Sequence, residues 1–275
     1  MKRLNYYIPG LLFLVITLFS CQKEALDKKS STLNNSSLQK KLPGEIKANT
    51  FYSPQVQVGD GKVRTFFTVT HSDVPQEIGI EMSRTTLNSL PGQEIMTLLL
   101  LHPKEVELTP FDHISFDWYP QGHQPSFYQV PHFDIRFYFI SNAERTQIPA
   151  YSAATAPLFE NYPPWEYIRI ADFFWQPDPG GEAMVGKNWT PHYPIYRPFW
   201  EADMGFVTYN GALIAEQPMI TLEYLLSVAD FSRSFPQPEK FAEAGYYPTY
   251  FNLRTDPNTN TKYISLSNFV WRNAN

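Results

Sequence analysis

The sequence predicts a mainly β protein, with α+β as the alternative: an antiparallel sheet, sandwich or barrel carrying two or three short helices and long Pro- and aromatic-rich loops. Three observations predict it. Aromatic residues make up 16% of the chain and 24 prolines stand against 13 glycines, a composition that suits strands and stiffened loops better than helical bundles. Short runs alternate apolar and polar residues with period two, most clearly over Pro131 to Phe139. Turn signals such as Gly59-Asp60-Gly61 and Tyr209-Asn210-Gly211 separate runs of this kind.

Taken in order, the chain opens with Met1-Lys2-Arg3 and a short apolar run from Tyr6 to Phe19, ending Leu18-Phe19-Ser20-Cys21. The run is short for a bilayer span and its flanks suit a secretory signal over residues 1–20. Its ending resembles a bacterial lipobox, which implies cleavage before Cys21, lipidation of that cysteine and a membrane attachment through lipid; an uncleaved anchor or an ordinary signal peptide is the other reading. Residues 21–47 are polar and poor in branched apolar side chains, so they bury too little to offset ordering entropy and read as a disordered tether. Cys21-Gln22-Lys23-Glu24 resembles the export signal of Bacteroidetes surface lipoproteins. The expected address is the cell envelope, at the outer membrane, with surface exposure as the further option. Residues 48–275 are expected to form one β-rich domain.

Within that domain, Phe51–Val58 and Val63–Val69 flank the first glycine turn and predict a hairpin. Ile78–Met82 reads as a strand, followed by a brief helix over Arg84–Leu90 with Ser83 as its cap. Ile95–Leu101 is continuously apolar, which predicts a strand buried on both faces. Ala150 to Gly205 is dominated by Pro, Tyr, Trp and Phe and is expected to wrap the sheet, with short elements at Tyr167–Ile170 and Pro198–Trp200. Phe206–Ala215 predicts a second hairpin. Leu222, Leu225, Leu226 and Ala229 share a helical face behind Thr221. Glu239–Ala244, closed by Gly245, predicts another short helix. Tyr250–Arg254 and Lys262–Trp271 predict a terminal hairpin.

Composition excludes some functions. The formal charge is −5, and loss of Lys2 and Arg3 with the signal makes it more negative. Without a basic stripe, nucleic acid is not an expected partner. Cys21 is the single cysteine, so no disulfide forms within the chain and the folded body has no thiol nucleophile.

The densest polar chemistry lies in Trp118 to Phe139. As a strand, Pro131–Phe139 puts His132, Asp134, Arg136 and Tyr138 on one face and Phe133, Ile135, Phe137 and Phe139 on the other. Phe111–Trp118 repeats the pattern, with His113, Ser115 and Asp117 opposite Ile114, Phe116 and Trp118. The two are expected to be neighbours joined by a loop carrying Gly122, His123 and Pro125, and loops held by a sheet concentrate binding residues.

From Phe51 to about Arg272 the chain resembles an uncharacterised family of secreted or lipid-anchored bacterial domains. The family pattern G-H-x-P, P-H-F-D-x-H-F-Y, M-G-x-H-W and E-P-M stands here as Gly122-His123-Gln124-Pro125, Pro131 to Tyr138, Val185-Gly186-Lys187-Asn188-Trp189 and Gln217-Pro218-Met219. The resemblance implies one pocket holding His123, His132, Asp134, Arg136, Tyr138, Asn188 and Gln217, and a possibility of self-association. Three positions that hold His, His and Glu in the family are Arg136, Asn188 and Gln217 here. Arginine has no lone pair for a metal. The expectation is therefore a pocket with no cofactor, in which Arg136, paired with Asp134, supplies the charge a cation would carry. A divalent metal on His123 and His132, with His192 and Asp134 completing the set, is the alternative.

Other chemistries find less support. His132-x-Asp134 superficially matches the facial triad of non-haem iron oxygenases, a spacing that arises easily by chance. No G-x-S-x-G elbow is present. Asp117, Asp134, Glu166, Glu201 and Glu216 have no spacing diagnostic of a glycosidase pair. Trp118, Tyr128, Trp165, Trp175 and Trp189 could form a carbohydrate platform, but aromatics in so aromatic a chain are mostly core. The sequence assigns no reaction and no ligand. Two classes stay open: a non-catalytic binding or structural domain, and a metal-dependent envelope enzyme.

Overall fold

The computed structural model describes residues 48–124, 126–168, 173–175, 180–191 and 201–275, with the side chains of 173–175 and 191 outside the description. The signal peptide, the tether with Cys21, Pro125, His192 and the element expected at Pro198–Trp200 all lie outside the described residues. Ile46 to Asn275 form one compact unit.

The first glycine turn works as expected. Three strands, β1 (Ala48–Tyr52), β2 (Val56–Val58) and β3 (Gly61–Thr70), make an antiparallel set, with both short strands paired to β3. β4 (Pro75–Met82) continues it and hands over to α1 (Arg84–Asn88), whose first turn is capped by the Ser83 hydroxyl accepting the Thr86 amide. β5 (Ile95–Leu100) is a correction to the sequence reading. It stands at the edge of its sheet, with Met96 38% and Leu100 57% exposed. Leu99 alone is fully buried there, and the Met96 sulfur meets the Arg145 guanidinium at 3.3 Å, so an apolar run was compatible with a single packed face.

α2 (Pro103–Leu108), which the sequence reading missed, starts on a capping box in which the His102 ring and the Glu105 carboxylate reciprocate backbone amides. β6 (His113–Tyr119) and β7 (His132–Tyr138) pair along their whole length. Two further short helices form: α3 (Asn142–Arg145), which the sequence reading did not expect, and α4 (Ala156–Glu160), inside the aromatic segment expected to wrap the sheet. β8 (Phe173–Trp175) and β9 (Lys187–Pro191) pair with each other, and β10 (Ala202–Tyr209) and β11 (Ala212–Thr221) form the hairpin predicted at Asn210-Gly211. α5 (Leu222–Ser227) is capped by Thr221 as expected but stops before Ala229.

β12 (Asp230–Ser234) follows. No helix forms over Glu239–Ala244, because the backbone there is used elsewhere: the Lys240 amide donates to Glu166, and Phe241 bridges to Ala274. Gly245 opens β13 (Gly245–Tyr247). After β14 (Tyr250–Thr255), the last predicted strand divides at Asn268, whose φ of 56° breaks the ladder, into β15 (Lys262–Ser267) and β16 (Val270–Arg272). β16 pairs with β13 instead of extending the hairpin.

The result is mainly β, built of antiparallel sheets. One seven-stranded sheet runs β1-β3-β4-β15-β14-β12 with β2 beside β3, and a second runs β5-β6-β7-β11-β10-β9-β8. Neither closes into a barrel. Phe67, Ile78, Ile80, Leu253 and Ile264 of the first sheet share one core with Ile114, Phe116, Phe133, Ile135, Phe137 and Ile220 of the second, giving a sandwich. Each such side chain contributes roughly 1.5–3 kcal/mol by leaving water. The other face of β7 is also dry, because Tyr138, Ile148, Phe159, Val185 and Val207 close over one end and Tyr128 with Met219 over the other. That covered outer face holds the polar array.

Candidate functional site

Register places the array. Asp117 lies opposite Asp134, Ser115 opposite Arg136 and Tyr119 opposite His132, so β6 and β7 present one polar face between them. β11 adds Gln217. All of these side chains are buried, Tyr119 the least, so each polar atom needs a partner.

Arg136 is the centre of the hydrogen bonding. One terminal nitrogen donates to Asp117 Oδ2, the other donates to Asp134 Oδ2 at 2.8 Å, and Nε donates to Gln217 Oε1 at 3.2 Å. Gln217 Nε2 returns to Asp134 Oδ2 at 3.2 Å, and the Ser115 hydroxyl donates to Asp117 Oδ1 at 2.5 Å. One guanidinium therefore serves two buried carboxylates. Their titrations separate: burial pushes Asp117 up to about 7 against the pull of Arg136 and Ser115, whereas Asp134, despite equal burial, is held well below the usual carboxylate range by Arg136 and the two histidines.

On the far side of Asp134 stand His123 and His132. His123 Nδ1 donates to the Gln124 carbonyl and His132 Nδ1 to the Val130 carbonyl, each at 2.7 Å. With the proton fixed on Nδ1, a neutral ring carries its lone pair on Nε2. His123 Nε2 faces Asp134 Oδ2 and His132 Nε2 faces Asp134 Oδ1, both at 3.5 Å, which is long for a hydrogen bond. The three ligand atoms lie within 4.8 Å of one another, the one such group of three among the described residues. Neighbouring donors on a zinc-sized ion with bonds of ~2.0–2.2 Å stand about 3.3 Å apart, so these separations suit a shared cation. Burial lowers the affinity of His132 for a proton, while at His123 the Asp134 carboxylate overcomes the same burial and raises it.

The loop that delivers His123 depends on Gly122. Its φ is +65°, its amide donates to Tyr119 O, and a Cβ there would stand 1.9 Å from Tyr128 O. Tyr119 packs its ring 4.7 Å from His123 and 5.3 Å from His132, locking both imidazoles. Only His123 reaches solvent, 26% exposed, where it joins Asn188, Tyr119 and Glu182 around a cleft of about 280 Å³.

Thus His123, His132, Asp134, Arg136 and Gln217 are joined in one cluster, and Asn188 faces the same cleft as His123. Tyr138 stands at the other end of the face, stacked 4.9 Å from His113, which itself binds Asp112. Glu166 pairs with Lys240 and Glu216 lies on the inner face opposite Phe137, both away from the cluster. Trp118 and Trp189 are core, Tyr128 is buried, Trp165 is 65% exposed, and the Trp175 side chain is outside the described residues, so no aromatic platform is assembled from them. Sequence reasoning left Asp117, Ser115, Tyr119 and Glu182 out of the site. The alternation that put Ser115 and Asp117 on the face of the strand neighbouring Asp134 was the available signal; Glu182 had none. Comparison with protein-family models, curated proteins and solved structures returns no match for this chain.

Proposed function

We propose that this chain is a metal-binding domain of the bacterial envelope, tethered by a lipid on Cys21, in which His123, His132 and Asp134 hold a divalent transition ion. One observation carries the reading: both imidazoles spend their Nδ1 protons on backbone carbonyls and turn Nε2 towards the same buried carboxylate. Outer-sphere carbonyls that fix the tautomer are the usual support of metal-ligating histidines. Two imidazoles and a carboxylate select zinc, iron, cobalt, nickel or copper over magnesium or calcium. Arg136 and Gln217 then serve as the frame that orients Asp134, not as ligands. The four segments that resemble a family of secreted bacterial domains supply His123, then His132 with Asp134 and Arg136, then Asn188, then Gln217, which supports reading that likeness as a shared site.

A second reading rests on the same guanidinium. Arg136 donates to Asp134 Oδ2, so the array could be a cofactor-free binding pocket with arginine as its standing positive charge. Elemental analysis separates the two. The first expects about one equivalent of ion on the purified full chain, and a thermal shift with zinc that chelator reverses. At a hundredfold excess over Kd that shift corresponds to about 2.7 kcal/mol. No ion and no shift would leave the second reading standing and sink the first.

A further inference from the structure

The cleft beside His123 has a chemistry of its own. Glu94, Tyr119, Gln124, Glu182 and Asn188 line it with His123, and its volume of about 280 Å³ is below the range of drug-sized pockets. Acceptors dominate this lining. Glu94 is an exposed carboxylate, and Glu182 carries a second that accepts from the Tyr119 hydroxyl at 3.4 Å. Asn188 Oδ1 is buried without a hydrogen-bond partner. The cation in the lining is Lys187, whose ammonium sits 5.6 Å over the Tyr162 ring.

Glu182 is held in place. Its amide donates to Gly186 O at 2.8 Å, its carbonyl accepts the amides of Val185 and Gly186, and the Met184 carbonyl is gripped by Arg145 at 3.0 Å. Met184 takes a φ of 58° within this turn, a conformation that a non-glycine residue keeps only when its surroundings enforce it. A braced carboxylate and a buried amide oxygen without a hydrogen-bond partner stand beside His123, and both are acceptors that call for donors.

We infer that this cleft is the ligand subsite of the metal centre and takes a neutral polyhydroxylated molecule the size of one sugar ring. The ligand lies beside His123, and its hydroxyls donate to Glu182 and Asn188. Anions meet two carboxylates and are disfavoured. The inference rests on the metal reading above and deepens it.

The test uses the full chain purified in detergent, zinc-loaded or metal-free. Methyl glycosides of glucose, galactose and mannose are titrated by saturation-transfer NMR, with acetate and inorganic phosphate as anionic comparisons. Zinc-loaded protein should bind at least one glycoside, and Glu182→Gln should weaken that binding about tenfold while keeping one ion per chain. Glu94→Gln, at an exposed position where folding is not at risk, should weaken it less. Anion binding without glycoside binding, no response from zinc-loaded protein, or equal affinity in Glu182→Gln would overturn the inference. Glycoside binding that needs Glu182 but is equal in metal-free protein would overturn the link to the metal centre, while the metal reading itself would still stand or fall on elemental analysis.

Discussion

Arg136 decides how much charge the covered face of the second sheet can hold. With its three nitrogens on Asp117, Asp134 and Gln217, it makes two buried carboxylates tolerable at once. Arg136→Met would keep much of the volume and leave both acids without their cation. Removing one partner of a buried ion pair costs about 3–5 kcal/mol, so urea denaturation should show that loss with the slope unchanged. A buried pair of this kind is weak evidence of net stabilisation, and its geometry points to positioning Asp134. Glu216 poses the opposite case. It is fully buried, its Oε2 has no hydrogen-bond partner, and burial alone raises its pKa well above the ordinary value. An acid whose folded pKa is raised favours folding most below its unfolded pKa of about 4.5 and loses that contribution as pH rises above it. Glu216→Gln should therefore raise the melting temperature at pH 8 more than at pH 4, measured by calorimetry across that range. Equal shifts at both pH values would show that the acid is not held neutral.

The β6–loop–β7 unit is the element that turns a sheet into a site. The strands supply Asp134 and His132 on a rigid face, and the loop folds back to bring His123 to them. Gly122 makes that return possible through its left-handed backbone and its approach to Tyr128 O. Gly122→Ala should shift the loop, lower zinc affinity at least tenfold by titration calorimetry, and leave the far-ultraviolet circular dichroism of the sheets unchanged. At the end of β11 that lies across from His132, Thr221 caps α5 by accepting the Tyr224 amide. Thr221→Ala should cost about 1 kcal/mol in urea, the usual worth of a lost N-cap.

For the whole molecule, two sheets bury one apolar core between them, and a layer of short helices and loops closes the outer face of the second. That second closure keeps Asp117, Asp134 and Arg136 from water and raises the strength of each interaction among them. The proposed address belongs to this scale too. Cys21→Ala should move the protein from the membrane pellet to the soluble fraction after cell fractionation, and a variant that stays in the pellet would refute lipid attachment at that residue.

Period-two alternation and glycine turns determined the class of fold and the pairing of β6 with β7, because both follow from local backbone geometry. They also determined that His132, Asp134 and Arg136 share a face. Tertiary structure alone decided the rest. An apolar run reads the same on an edge as in a sheet centre, so the exposure of β5 depended on its neighbours. The proton positions of His123 and His132 depend on carbonyls that only the folded loop presents. Glu182 reaches the cleft through a turn braced from Arg145, 37 residues earlier, a contact that no local pattern encodes.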